Sequence, residues 1–369
     1  YESPGYAMSY QITRTRINRG LQLLTLLSLS SLVFIFFLTR SHVTAVAFED
    51  IEPFWILVAL PFIGLDWVAG GYRLFIFSRV FHPQIRFKTC VKANLANYFL
   101  GSITPAQTGG GPAQIYMLWV GGMPVVEATS ASLMTFFSTT GFLILAAAGT
   151  FLFKGTVPLE GRLLGHLYTI GIFFFLAIAV LMVVAVAFPG FYRELTKIVV
   201  RIASRMRGKD YLRPGSKAHD MIDAIDRCHE QLIHYLQKQW PLFIVGIVVS
   251  GVCFLSKFAV AYFIVRSFGI EATFVHVALL QMVITLINYF FPSPGASGAA
   301  ELSSAALMSA IVPKGLIPFY VIIWRLLSTY VSVGVGGMVV LHELGKKERV
   351  EIDEGSAAEP VEPKAAETE

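Results

Sequence analysis

Charge is what this chain has least of. Asp, Glu, Lys and Arg fill only 14% of its 369 positions, against roughly 25% in a soluble domain. That excludes an ordinary soluble fold, whose surface could not be covered by so few charged groups. Cysteine is scarce too. Cys90, Cys228 and Cys253 are odd in number and widely spaced, which excludes a disulfide framework and a metal-ligand cluster. Neither a metal nor a cofactor is expected. The net charge of +5 comes from basic residues lying between apolar segments, so nucleic acid is not an expected partner and these residues read as topology signals.

Apolar residues, in contrast, make up 55% of the chain, and mean hydropathy is +0.64. The composition predicts an all-α polytopic membrane protein. Residues 1–20 read as a cytoplasmic N-terminus, with those before Met8 an added leader outside the fold. Arg14, Arg16 and Arg19 precede an apolar run from Leu21 to Leu38, read as a retained helix rather than a cleaved signal ending near Ala45-Val-Ala47. Further spans are expected at 54–77, 130–153, 164–188, 240–265 and 316–341, giving about six full spans. Between them lie segments too short to cross ~30 Å of hydrocarbon, at 87–101 with 112–120 and at 274–291 with 298–312.

The charges set the sidedness. Arg79, Arg86, Lys88 and Lys92 follow the second span, and Lys346, Lys347 and Arg349 follow the last, which places both termini in the cytoplasm. The first membrane half is then 21–188, with a hairpin around 87–121, and the second is 240–342, with a hairpin around 274–312. Residues 189–239 read as a basic cytoplasmic loop, in which Arg201 and Arg205 share a helical face suited to anionic headgroups. Residues 343–369 read as a disordered acidic tail.

The two short-segment pairs echo each other. Asn97-Tyr-Phe leads into Pro105 and Gly109 to Gly111, and Asn288-Tyr-Phe leads into Pro292, Pro294 and Gly295. Backbone groups freed by these residues cannot face lipid, so each break must lie against protein or line a wet cavity. Paired breaks in two halves point to re-entrant half-helix hairpins in an inverted repeat, with a substrate site between them.

Several polar residues gather at these breaks. Thr104, Gln107, Gly110 and Ser293 offer donors beside Pro105, Pro294 and Gly295, and Thr108 adds another. Asn97 and Asn288 could tie the preceding half-helices to the turns. The plainer reading of each is capping of a broken helix. Among ionisable residues, Asp66 and Lys257 fall inside spans and are expected to pair or relay protons. Arg73 reads as a snorkelling side chain at the cytoplasmic edge. Glu301 stands in the first turn after the second break, where its helix dipole favours the anion. Arg325 stands ~13 Å into the last span at ~1.5 Å per residue. Two buried charges need partners, so Glu301 and Arg325 are expected to face each other, either binding a headgroup between them or forming a permanent salt bridge.

Ile103-Thr-Pro-Ala with Gly109-Gly110, Pro292-Ser-Pro-Gly-Ala-Ser-Gly-Ala-Ala-Glu301 and Arg325-Leu-Leu-Ser-Thr-Tyr330 resemble the membrane domain of the lysylphosphatidylglycerol synthases/flippases. That family also holds free-standing membrane proteins linked to lipid and polyprenyl-glycan metabolism. The resemblance implies a non-enzymatic lipid flippase of the cell membrane, with a phospholipid or polyprenyl-phosphate-linked lipid as partner and self-association left open. Two departures stand against lysyl-lipid as substrate: Gln114 sits where a basic residue is expected, and the soluble aminoacyl-transfer domain is not expected in these residues. Two other classes remain. One is an ion-coupled transporter of a small solute. The other, an intramembrane serine hydrolase, would use Ser297 of Gly295-Ala-Ser-Gly298 with His342, residues too far apart in this threading for a hydrogen bond.

Overall fold

A computed structural model describes residues 14–39, 51–152, 162–187 and 217–343. The expectations for the loop at 40–50, the basic residues from Arg193 to Arg213, and the acidic tail lie outside the described residues. Within them every regular element is helical, and five helices are long and apolar enough to cross a membrane. These are α1 (Arg14–Thr39), α2 (Pro53–Phe81), α5 (Val125–Leu152), α8 (Trp240–Ser267) and α11 (Ile317–Glu343). The sixth expected span corresponds to α6 (Arg162–Ala187), 26 residues long.

Large apolar side chains cover the outside of this bundle. Phe54, Leu57, Leu65 and Val68 on α2, and Phe173, Leu176 and Val180 on α6, are all exposed. Such a continuous apolar exterior is the reverse of a soluble surface and suits a hydrocarbon solvent. All described residues therefore fit a multi-pass membrane protein.

Helices α2 and α8 pack along each other in opposite directions. At one end the Glu52 N–H donates to the Ser267 carbonyl at 2.8 Å. Arg266 lies 5.2 Å from the Trp55 ring at that same end. The other end is marked by Lys92, which pairs with Glu343 at 2.6 Å, and by His82, 3.5 Å from Glu127. Close backbone approach is built in with small residues. A Cβ at Gly336 would strike the Leu95 carbonyl, and one at Gly246 would strike the Phe77 ring, so these glycines are required for packing.

Two units interrupt the regular spans. Helix α3 (Phe87–Ile103) leads through a 3₁₀ turn at Pro105–Gln107 into α4 (Gly110–Val120). Helix α9 (Phe274–Phe290) leads through a 3₁₀ turn at Pro294–Ala296 into α10 (Ala299–Met308). Both leading helices are 17 residues long. The second return helix stops at Met308 rather than continuing to the expected 312, because the chain leaves the helix there through Ser309 and Ala310 towards Pro313, which cannot donate to a continuing ladder.

The segment read as a basic loop holds a further helix. Helix α7 (Lys217–Lys238) places Cys228, Leu232 and Tyr235 on one buried face and Arg227, Glu230 and Lys238 on the exposed one. The 4- and 7-residue spacing is what one helical face requires. Tyr235 packs against Phe77 and Phe81 at 5.8 and 5.7 Å, and Ser130 Oγ donates to Gln231 Oε1 at 2.8 Å. Burial pushes the Cys228 thiol above its usual range.

Candidate functional site

The second turn is organised by one carboxylate and one guanidinium. Glu301 Oε2 accepts the Gly298 N–H at 2.7 Å, closing the first turn of α10, while Oε1 accepts Arg325 Nε at 2.8 Å. Glu301 is wholly buried and the Arg325 side chain is 4% exposed. The guanidinium also donates through Nη2 to the Gly295 carbonyl at 3.2 Å and to Ser297 Oγ at 3.3 Å, and through Nη1 to Thr329 Oγ1 at 3.3 Å. Each donor group of the fork has a target, the condition under which a charge persists in a low-dielectric interior. Just after Arg325, α11 widens into a π-helical turn at Leu326–Tyr330, the kind of bulge that aims side chains inward at functional sites.

The two turns share an unusual backbone. Ala106 and Gln107 have φ of 49° and 57°, and Gly295 and Ala296 have 56° and 52°. Pro105 and Pro294 open the turns in the same position. Among the described residues, Ala106, Gln107 and Ala296 are the non-glycine residues at positive φ. Left-handed backbone at an L-residue costs ~1–2 kcal/mol, and such strain gathers where function holds it in place.

Their polar residues differ in what they do. Thr104 Oγ1 donates to the Leu100 carbonyl at 2.6 Å and accepts the Gly109 N–H at 2.8 Å. Thr108 Oγ1 donates to Pro105 O at 2.9 Å, and Ser293 Oγ to Ser297 O at 2.8 Å. These hydroxyls serve their own turns. Asn97 Nδ2 donates to Gln114 Oε1 at 3.0 Å, tying α3 to α4, and Gly110 packs against the Asn97 side chain. Gln114 Nε2 and Asn288 Oδ1 are buried without a hydrogen-bond partner. Pro105 and Gln107 are exposed, whereas Pro294 is buried.

The two turns contact each other, and α1 touches both units. Gly20 lies against Ile103 at the end of α3, and Ser28 Oγ donates to Ser297 Oγ at 3.1 Å. Ser297 Oγ thus meets Ser28 and Arg325, neither of which is a base. His342 lies roughly 25 Å along α11 from Arg325 at ~1.5 Å per residue, so the hydrolase constellation is not assembled.

A second charged cluster connects the long helices. Lys257 Nζ of α8 is 3.7 Å from Asp66 Oδ1 of α2, and Tyr98 OH donates to the same oxygen at 3.1 Å. The ammonium lies 4.9 Å from the Tyr98 ring centre and 5.3 Å from that of Phe254, which packs against Tyr289 at 6.4 Å. The tyrosines of both Asn-Tyr-Phe stretches therefore converge here. Asp66 and Lys257 meet as expected. Arg73 does not snorkel: it is buried, with Nη1 donating to Ser250 Oγ at 2.7 Å. It stands two turns beyond Asp66 on one helix face, which points into the α2–α8 seam rather than outward.

Sequence reasoning missed Tyr98, Ser28 and Ser250 as members of these clusters. The repeated tyrosine was visible, but its partner on a distant helix was not encoded in any local spacing.

A family model described as the lysylphosphatidylglycerol synthase TM region matches residues 22–336. A UPF0104 membrane protein of Archaeoglobus fulgidus is 24% identical over 333 residues, which cover 88% of this chain and 97% of that relative.

Proposed function

The chain belongs to the lysylphosphatidylglycerol synthase transmembrane-region family, and from that premise we propose that it moves a lipid headgroup between leaflets where its two broken turns meet. The observation that carries this reading is the contact of two Pro-opened, left-handed turns inside one apolar bundle. A polar headgroup crossing hydrocarbon needs donors along its way, and broken helices are where membrane proteins can present backbone N–H groups. The beginning of α4, with Gly110 and Gly111 after the exposed Gln107, offers such a surface, and the turn that leads into it contacts the turn whose Gly295 carbonyl accepts from Arg325. The substrate is a phospholipid or a polyprenyl-phosphate-linked lipid, and the protein acts as a translocator rather than an enzyme.

Its topology follows the positive residues, with both termini cytoplasmic in the cell membrane. Each broken unit then enters and leaves on one side, the first from the cytoplasm and the second from outside. The placement of Gly121 against Thr89 supports the first return, because the end of α4 lies beside the start of α3. Phe274, 5.7 Å from Tyr262 near the opposite end of α8, supports the reversed entry of the second.

Vesicles carrying a headgroup-labelled phospholipid test the proposal. With the protein reconstituted, an impermeant quencher should reach label from both leaflets. Quenching that stops at the outer leaflet's share, as in protein-free vesicles, would contradict it. An ion-coupled transporter of a small solute would also leave the inner label protected.

A further inference from the structure

Charge inside the bundle does not balance. Among the described residues the buried charged side chains are Asp66, Arg73, Glu301 and Arg325, and Lys257 joins them with 34% of its side chain exposed. Glu301 and Arg325 neutralise each other at 2.8 Å. Asp66 is left with Lys257 beside it and Arg73 two turns further along the same seam, so these three side chains carry one positive charge in excess. Arg73 Nε is moreover buried without a hydrogen-bond partner. An uncompensated buried cation is costly, so such a cluster calls for an anion from outside the chain.

The pair itself is built loosely. At 3.7 Å, Lys257 Nζ and Asp66 Oδ1 are beyond hydrogen-bond length. Asp66 is instead held by the Tyr98 hydroxyl. The ammonium has three donors and rests on the faces of Tyr98 and Phe254. Lys257 also lies ~25 Å into α8 at ~1.5 Å per residue, yet a third of its side chain is open, so this depth is reachable. A deep, open, weakly paired ammonium differs in each respect from the closed pair of Glu301 and Arg325.

We propose that Lys257 is the docking point for the phosphate of an anionic lipid, with Asp66 as the internal counter-ion that the phosphate displaces. Tyr98 OH, released from Asp66, turns to the incoming phosphate oxygen. Arg73, ~10 Å along the same face of α2 at ~1.5 Å per residue, adds a second positive charge without direct contact. Tyr98 belongs to the first broken unit and Tyr289 to the second, so an occupied site reports to both. The inference rests on the lipid-handling reading and narrows it to lipids whose headgroup carries net negative charge.

Calorimetric titration of the full-length protein in neutral detergent tests it. The probes are dihexanoyl phosphatidylglycerol, dihexanoyl phosphatidylcholine and glycerol phosphate. The anionic lipid should bind more tightly than the other two, and Lys257→Gln should weaken it by roughly tenfold or more, with Lys257→Arg restoring much of the loss. Asp66→Asn should bind it more tightly than the native protein, because the competing carboxylate is gone. Unchanged affinity in Lys257→Gln, or weakened affinity in Asp66→Asn, would overturn the proposal. Glycerol phosphate binding as well as the lipid would assign the site to a free phosphate and overturn it equally. Selective binding without flipping in vesicles would remove the transport reading and leave this site standing.

Discussion

Glu301 shows how one side chain can hold a turn and a charge together. It caps Gly298 with one oxygen and holds Arg325 with the other, so removing its charge leaves a buried guanidinium without its counter-ion. Glu301→Gln should therefore cost about 3–5 kcal/mol of stability, read as a lowered unfolding midpoint in detergent; a loss below about 1 kcal/mol would contradict the buried-pair account. Exchanging the charges, Glu301→Arg with Arg325→Glu, should recover part of that stability but not all, since an arginine cannot accept the Gly298 N–H. If the pair also meets substrate, the exchanged protein should fail to flip lipid, and normal flipping would leave the pair as structure alone. Ala106 tests the backbone instead. Its left-handed conformation costs ~1–2 kcal/mol, while glycine adds ~0.5–1 kcal/mol of chain entropy to be lost. Ala106→Gly should therefore stabilise by about 0.5–1 kcal/mol, because the exposed methyl group buries nothing. A destabilised variant would mean that the left-handed turn is not the native conformation.

Among the elements, the broken units were legible and α7 was not. Pro105, Pro294 and the glycines after them are strong local signals, because a missing N–H or a positive φ constrains the chain at its own position. The meeting of Glu301 with Arg325 followed from depth, since two buried charges have few ways to be satisfied. Helix α7 was hidden by its own exposed face, whose charged residues read as a loop, although Cys228, Leu232 and Tyr235 carried the helical spacing. Arg73 was misread because depth along a helix says nothing about which way the side chain points. The docking of α7 predicts its own test. Leu232→Asp removes an apolar contact worth ~1.5–3 kcal/mol and buries a charge in its place. In that variant Cys228 should react quickly with maleimide, while Cys90 and Cys253, buried elsewhere in the bundle, stay protected. Equal protection of Cys228 in both proteins would show that α7 does not depend on this face.

The molecule as a whole joins two similar broken units through α1, the α2–α8 seam and one shared contact between turns. Its two apolar cores lie towards opposite ends of the bundle. One gathers α8, α9, α10 and the start of α11, and the other gathers α3, α4, the start of α5 and α7. The turns meet each other, and the proposed headgroup pathway runs where they meet. A direct test is the initial flipping rate of a labelled anionic phospholipid in vesicles, compared among the native protein, Pro105→Ala, Pro294→Ala and Pro61→Ala. Pro61 also lies inside a helix, α2, but outside both turns. Loss of flipping in Pro105→Ala and Pro294→Ala, with Pro61→Ala near the native rate and all four proteins equally folded, is the predicted result; native rates in both turn variants would contradict a pathway through the turns.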